Sequence, residues 1–393
     1  MAREVVVIGA TRTPIGGFLG ALASFSAPRL GAVAIRAALE RAGLPGSAVD
    51  QVFMGCVLQG GVGQAPARQA AIYAGVPERT PCVTVNKVCG SGLQALIHGA
   101  QAIKLGEAEV VVAGGMESMS NAPYVSHSLR RGARMGNVEL KDMMILDGLW
   151  DPYNDMPMGL CGEKCAADFG FSRAAQDEFA RESTLRAQRA QAEGWFKAEI
   201  TPVEVKGKRG DSLWVSEDEG PKSAKLDKIA SLKPAFQKDG TVTAGNASSI
   251  NDGAAAVVLM AEERARREGR MVLGRIVSYA ASARAPVEFT ISPADAMKLA
   301  LEKVRLTPSD IDLFEINEAF AVVTLANAKL LGISLDKVDV RGGAVVLGHP
   351  IGASGCRIVV TLLHAMKDLD KQRGMAGICI GGGEALAMIF ERP

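Results

Sequence analysis

Short apolar, β-branched runs alternate along this chain with longer segments whose apolar residues recur every three or four positions. The runs at 4–9, 51–55, 81–85 and 109–113 read as short, mostly buried strands. After the first, Leu30, Val33, Ala34, Ala37 and Ala38 keep helical spacing, with Arg36, Glu40 and Arg41 on the opposite face. Gly43 and then Pro45 stop that helix. Residues 64–74 and 93–104 read as two further helices. Strands alternating with helices predict an α/β fold, a mostly parallel sheet flanked by helices.

From about Asn121 the pattern breaks. Residues 121–250 carry many Gly, Met, Lys, Arg and Asp and few clear strands. Ser172 is placed to cap a helix running to about Glu193. Residues 207–211 read as a turn and 218–222 as a polar loop, so the segment is a loop-rich insertion. The α/β pattern resumes at 251–260. It then repeats, with strands at 273–279, 311–315, 338–340, 375–380 and 384–390 and helices at 293–304, 318–331 and 356–369. With the insertion lifted out, 109–115 answers 375–381 and 251–260 answers 382–390. The pattern is that of a duplication. The expected units are 1–120 plus 251–271, the insertion 121–250, and 272–393. The duplication puts the turns around Cys89 and His349 at equivalent strand ends near a pseudo-twofold axis, a common place for a site.

Charge and composition narrow the function classes. Lys and Arg number 44 against 43 Asp and Glu, leaving +1. That balance supplies no attraction for nucleic acid or a membrane surface, and neither is an expected partner. No apolar run reaches membrane-span length. Met1-Ala2-Arg3-Glu4 leads directly into the first strand, so no signal or transit peptide is expected unless one was removed before numbering. Seven scattered cysteines argue against a disulfide framework and for a reducing, cytoplasmic compartment. Cys161 and Cys165 have i, i+4 spacing, but no second Cys or His pair lies nearby, so no metal site is expected.

Asn86-Lys87-Val88-Cys89-Gly90-Ser91-Gly92 joins a strand to a helix. Gly90 and Gly92 allow backbone conformations barred to other residues and close approach of a ligand. The helix N-terminus favours a thiolate at Cys89. A buried, inert cysteine is the alternative reading. Three further motifs sit at element ends: Asn317-Glu318-Ala319-Phe320-Ala321, Gly348-His349-Pro350-Ile351-Gly352-Ala353-Ser354-Gly355 and Cys379-Ile380-Gly381-Gly382-Gly383. Singly, each has a bland reading as a helix cap, a surface histidine or a core cysteine. Of the four histidines only His349 lies in a glycine-rich turn, and His98 and His364 read as structural.

Together with Gly114-Gly115-Met116-Glu117-Ser118-Met119, Lys233-Pro234-Ala235-Phe236 and Gly245-Asn246-Ala247-Ser248, these motifs resemble the thiolase family over essentially the whole chain. The resemblance implies a duplicated βαβαβαββ fold in five layers, α-β-α-β-α, with an inserted loop domain. It implies an acyltransferase that condenses two acetyl-CoA to acetoacetyl-CoA plus CoA, and runs the reverse thiolysis, through an acyl group on Cys89. His349 matches the base that activates this thiol and Cys379 the second acid/base. Asn317 matches the residue that holds an oxyanion-hole water, and backbone N–H groups of Cys89 and Gly381 form a second hole. No cofactor is expected to stay bound; coenzyme A and acetyl-CoA are substrates.

Ser248 matches a pantetheine contact, and Leu149, Met158, Phe236, Ala244, Ala319 and Phe320 match pocket-lining positions. Core packing is the other reading of Phe236 and Met158. Lys222 stands where relatives carry Arg near the nucleotide, keeping the charge without the planar fork. The segment with His127, Arg130, Arg131 and Arg134 matches a loop that builds homotetramers as dimers of dimers. Pro157-Met158-Gly159 departs from the His-Met-Gly of short-chain members, and Cys161, Gly162 and Lys164 depart from the Thr, Ala and Asn that follow there. These departures bear on the acyl pocket. Two other functions remain in view: a broader-range 3-ketoacyl-CoA thiolase of fatty-acid degradation, and a non-catalytic CoA-binding scaffold. The scaffold predicts loss of Cys89, His349 or Cys379, and all three are present.

Overall fold

The computed structural model describes residues 3–207 and 211–393. The turn expected at 207–211 falls partly on 208–210, outside the described residues. The N-terminal half runs β1 (Val5–Arg12), α1 (Ala27–Ala42), β2 (Gln51–Gly55), α2 (Pro66–Tyr73), β3 (Cys82–Val85), α3 (Ser91–Lys104) and β4 (Val110–Ser118). The insertion carries α4 (Met158–Phe169) and α5 (Arg173–Ala192), the latter capped by the Ser172 hydroxyl accepting from Ala175 N–H at 3.1 Å. β5 (Asn251–Ala261) returns to the first half. The C-terminal half runs β6 (Gly274–Ala283), α6 (Ser292–Glu302), β7 (Leu313–Ile316), α7 (Ala321–Leu331), α8 (Ile351–Asp368), β8 (Arg373–Ile380) and β9 (Glu384–Glu391). Among the described residues no helix is long and apolar enough to cross a membrane.

The strand order is β3-β2-β4-β5-β1 in the first half and β7-β8-β9-β6 in the second. β2 lies parallel to β3 and β4, and β5 antiparallel to β4 and β1; β7, β8, β9 and β6 repeat this scheme. The second half lacks a full third strand. The run expected at 338–340 makes only a parallel bridge from Val338 to Phe314, because Asp339 turns the backbone to φ 48°. The two sheets meet where Val6 and Val7 of β1 pair with Arg275 and Gly274 of β6.

Alternation along the strands produces the layers. Ala255, Val257 and Leu259 of β5 and Leu386, Met388 and Phe390 of β9 pack on α3 and α8, which lie side by side between the sheets. Ala254, Ala256 and Val258 point the other way, onto α1 and α2. Ala385, Ala387 and Ile389 point outward onto α6. Strands clothed on both faces read as unbroken apolar runs, as these do. The result is the five-layer α-β-α-β-α arrangement.

Several elements differ from the sequence reading. β4 does not end at residue 113 but runs through Gly114 and Gly115 to Ser118. Those glycines are required for space: a Cβ on Gly114 would lie 2.2 Å from Ala255 O, and one on Gly115 2.0 Å from Gly352 O. α8 begins at Ile351, inside the glycine-rich motif, five residues before the expected start. α4 lies in the segment expected to be loop-rich, where only the helix from Ser172 is anticipated. Gly159 leaves room for the Phe236 ring, 2.2 Å from where its Cβ would lie. The register also moves the equivalence between halves. Gly55 pairs with Gly115 and Ile316 with Gly377, so Gly115 answers Gly377 rather than Gly381.

Candidate active site

Cys89 sits on the turn from β3 to α3. The left-handed residue there is Val88, at φ 45°, a rare conformation for a β-branched side chain. Gly90 and Gly92 have no positive φ, contrary to the sequence reading. They are needed for clearance: a Cβ on Gly90 would lie 2.4 Å from Ile380 Cδ1, and one on Gly92 2.7 Å from Cys356 N. Ser91 braces the elbow, its hydroxyl donating to Val88 O at 2.6 Å and accepting from Lys87 N–H at 2.8 Å.

Cys89 packs against a cluster containing Val57, Leu58, Met119, Met144 and Ile351, with Leu149 on the same cluster. Burial pushes its thiol up to about 11, and the backbone N–H groups of Gly381 and Cys89 pull the other way. Nearby Glu117 adds to the rise. The resting group is therefore a thiol, and the thiolate expected from the helix N-terminus is overruled by desolvation. A base is required.

His349 precedes α8 and is buried, with 5% of its surface exposed. Its backbone N–H donates to Asn251 Oδ1 at 3.0 Å, and Asn251 Nδ2 donates to Gly16 O at 2.9 Å. His349 Nδ1 lies 2.6 Å from Ser354 Oγ, whose proton goes to Pro350 O at 2.9 Å. Nδ1 is then the protonated nitrogen, and Nε2 carries the lone pair. Nε2 has no protein partner among the described residues. Burial, then the Arg357 cation, lowers the imidazole to about 3, so it is neutral at physiological pH.

Asn317 follows β7 and is buried; both ends of its amide lack a protein partner among the described residues. Cys379, near the end of β8, is fully buried, and its thiol is pushed well up by burial and then by Cys89. Gly381 lies two residues on, and its backbone N–H lowers the Cys89 thiol. Both thiols, the imidazole and the amide thus stand at the ends of strands or helices, where the two halves meet.

The remaining sequence candidates divide. Met158, Phe236, Ala319 and Phe320 join one apolar cluster with Cys379. Phe236 meets Phe320 edge-on at 6.2 Å, and Met158 Cε lies 3.6 Å from the place a Gly381 Cβ would take. Ser248 donates its backbone N–H to Ala319 O at 3.0 Å beside the bridge from Ala247 to Phe320, tying the insertion to the Asn317 segment. Ala244 lines a surface depression of about 320 Å³ with Lys225, Lys228 and Ser249. Lys222 is elsewhere, paired with Glu217 in a separate depression that includes Gln188 and Lys197. His98 bonds Gln94 and Gln101 on its own helix, and His364 faces Ala10 O at 3.3 Å. Ser354 stands in a quoted motif without a role, and Asn251, which also holds His349, opens the run at 251–260. A hydroxyl one helical turn beyond the histidine was the available signal for Ser354.

Residues 5–263 match the family model described as thiolase, N-terminal domain, and residues 270–392 the model described as thiolase, C-terminal domain. An acetyl-CoA acetyltransferase of Pseudomonas aeruginosa is 51% identical over 391 residues, 99% of this chain and 100% of that protein. Proteins of the same name from Cupriavidus necator and Yarrowia lipolytica are each 52% identical, over 99% and 98% of this chain and 99% and 96% of their own. With both halves matched and half of all residues shared end to end, the chain belongs to the thiolase family.

Proposed function

We propose that the protein condenses two acetyl-CoA to acetoacetyl-CoA plus CoA, and cleaves acetoacetyl-CoA in reverse, through an acetyl group on Cys89. The observation that carries this reading is the closeness of two thiols: Cys89 helps to raise Cys379, and the backbone N–H of Gly381, two residues beyond Cys379, lowers Cys89 against its burial. Full-length relatives named acetyl-CoA acetyltransferase support the same reaction.

The chemistry follows from the protonation states. His349 Nε2 takes the Cys89 proton as sulfur attacks the thioester carbon, and CoA leaves with the Cys379 proton, so that His349 holds Nε2–H and Cys379 is a thiolate for the next step. The N–H groups of Cys89 and Gly381 face the oxygen that gains charge. For condensation, Cys379 removes a methyl proton from a second acetyl-CoA. The enolate oxygen lies between His349 Nε2–H and a water on the Asn317 amide. The new carbon–carbon bond forms as the thioester bond to Cys89 breaks. Cys379 is a weak acid in its apolar surroundings, so its thiolate is a strong base once formed.

In this reading Ser248 holds pantetheine, and Leu149, Met158, Phe236, Ala244, Ala319 and Phe320 line the path from the insertion to Cys89. Lys222, Lys225 and Lys228 supply cations for the phosphates. The protein works in the cytoplasm in lipid metabolism, as a homotetramer built through residues 127–134, where Arg130, Arg131 and Arg134 are exposed.

A thiolysis panel tests the assignment. Wild-type protein should cleave acetoacetyl-CoA, with kcat/KM falling for six- and eight-carbon 3-ketoacyl-CoA. Cys89→Ala should remove turnover and leave folding intact. Unchanged turnover in that variant overturns the mechanism. A kcat/KM that rises with chain length moves the protein to the broader-range class.

A further inference from the structure

Register pairs the two halves residue by residue. Gly115 of β4 answers Gly377 of β8, so two residues on Glu117 answers Cys379. One residue beyond β2 and β7, Cys56 answers Asn317. The C-terminal pair, Asn317 and Cys379, belongs to the site. The N-terminal pair closes on itself, Cys56 Sγ donating to Glu117 Oε1 at 3.8 Å. That oxygen also accepts from Leu58 N–H at 3.1 Å, and Oε2 accepts from Val57 N–H at 3.0 Å and Gly352 N–H at 2.9 Å. Glu117 is wholly buried, and Gly352 is the second residue of α8. The positive end of a helix and three converging N–H groups make an anion site, here filled by the protein's own carboxylate. Gly352 is small for this purpose: its Cβ would lie 2.7 Å from Glu117 Oε2.

We propose that Glu117 is a positioning residue for acyl transfer. Its carboxylate, from the N-terminal half, occupies the anion-binding end of α8 in the C-terminal half, and so fixes the His349 turn against the 57–58 wall beside Cys89. The linkage is short. Gly352 lies three residues after His349, and Val57, Leu58 and Ile351 form the cluster on which Cys89 packs. The titratable groups facing Glu117 are Cys56, in contact, and Cys89, whose thiol its charge helps to raise. Burial lifts Glu117 itself to about 7 even with three N–H donors.

This inference rests on the acyl-transfer reading, and its test separates the two. Glu117→Gln keeps the volume but turns an amide NH₂ toward N–H donors; Glu117→Asp keeps the charge and shortens the reach. Each variant is scored by kcat and KM in acetoacetyl-CoA thiolysis and by the pH midpoint of Cys89 alkylation with iodoacetamide. Glu117→Gln should lose tenfold or more in kcat with KM for CoA within twofold, and its alkylation midpoint should fall as a neighbouring negative charge is removed. Glu117→Asp should recover part of kcat and keep the midpoint near wild type. A folded Glu117→Gln with kcat within twofold of wild type, or with an unmoved midpoint, overturns the proposal. If Glu117→Gln does not fold, Glu117→Asp decides: a kcat equal to wild type overturns it, and a threefold or larger loss at an unmoved midpoint sustains it. Wild-type protein inactive on acetoacetyl-CoA would instead fail the acyl-transfer reading, while the alkylation midpoints, which need no turnover, still decide this one.

Discussion

His349 can act as a base only while its ring is neutral and its Nε2 lone pair faces the site, and two neighbours secure those conditions. Ser354 holds the proton on Nδ1, and burial with the Arg357 cation keeps the ring uncharged. Ser354→Ala should lower kcat about tenfold, part of the ~10²–10⁴ that general-base catalysis contributes, with KM for CoA little changed. Ser354→Thr should restore part of the loss, and steady-state thiolysis checks both. The pH dependence carries a sign. The folded imidazole titrates near 3, below its unfolded value near 6.5. Below pH 6.5 the unfolded chain binds a proton that the native protein refuses. This stability is therefore complete above pH 6.5 and is lost as pH falls toward 3. Between pH 6.5 and 5 wild type should lose about 2 kcal/mol more than His349→Gln, measured by denaturant titration.

Among the elements, close approach of backbones decides which positions must be glycine. β4 and α8 cross with Gly115 against Gly352 O, so Gly115→Ala must push a strand off a helix. We expect a loss of about 3 kcal/mol. Gly106 is the opposite case, with positive φ, 79°, and nothing within 4 Å of its Cβ position. Gly106→Ala should cost only about 1 kcal/mol from backbone strain. Thermal unfolding of the two variants separates crowding from conformational freedom. The same crowding explains what the sequence could disclose. Double-sided apolar strands, the repeated strand order and the glycine-rich ends carrying Cys89, His349 and Cys379 were legible, because burial and turn chemistry are local. The left-handed Val88 was not, since a β-branched residue signals the opposite. The reduction of the third C-terminal strand to Val338 was not, because it follows from the turn at Asp339. Glu117 opposite Gly352 was not, because that contact depends on how two halves 235 positions apart dock.

At the scale of the molecule, the insertion must be held against both halves if its contacts are to meet Cys89, and one buried guanidinium makes that junction. Arg12, the last residue of β1, donates from Nε to Glu199 Oε1 at 2.6 Å and from both terminal nitrogens to Asp218 at 2.7 and 2.9 Å. Glu199 and Asp218 come from the insertion. Glu199 also accepts from Thr361 of α8 at 3.0 Å and faces Arg341 at 3.7 Å, so the C-terminal half joins the same network. Burial opposes the charge on Glu199, yet Arg12, His364 and Arg341 together hold it ionised. Removing Arg12 leaves these carboxylates buried with too little positive charge. Arg12→Met should therefore destabilise the protein by about 3–5 kcal/mol. A variant that also carries Glu199→Gln and Asp218→Asn removes the stranded charges and should recover much of that loss. Because the network lies away from Cys89, the rescued variant should bind CoA more weakly while its Cys89 is alkylated at the wild-type rate. Denaturant unfolding and CoA titration of the two variants check this. A single Arg12→Met protein as stable as wild type would mean that the insertion is held by its apolar contacts alone.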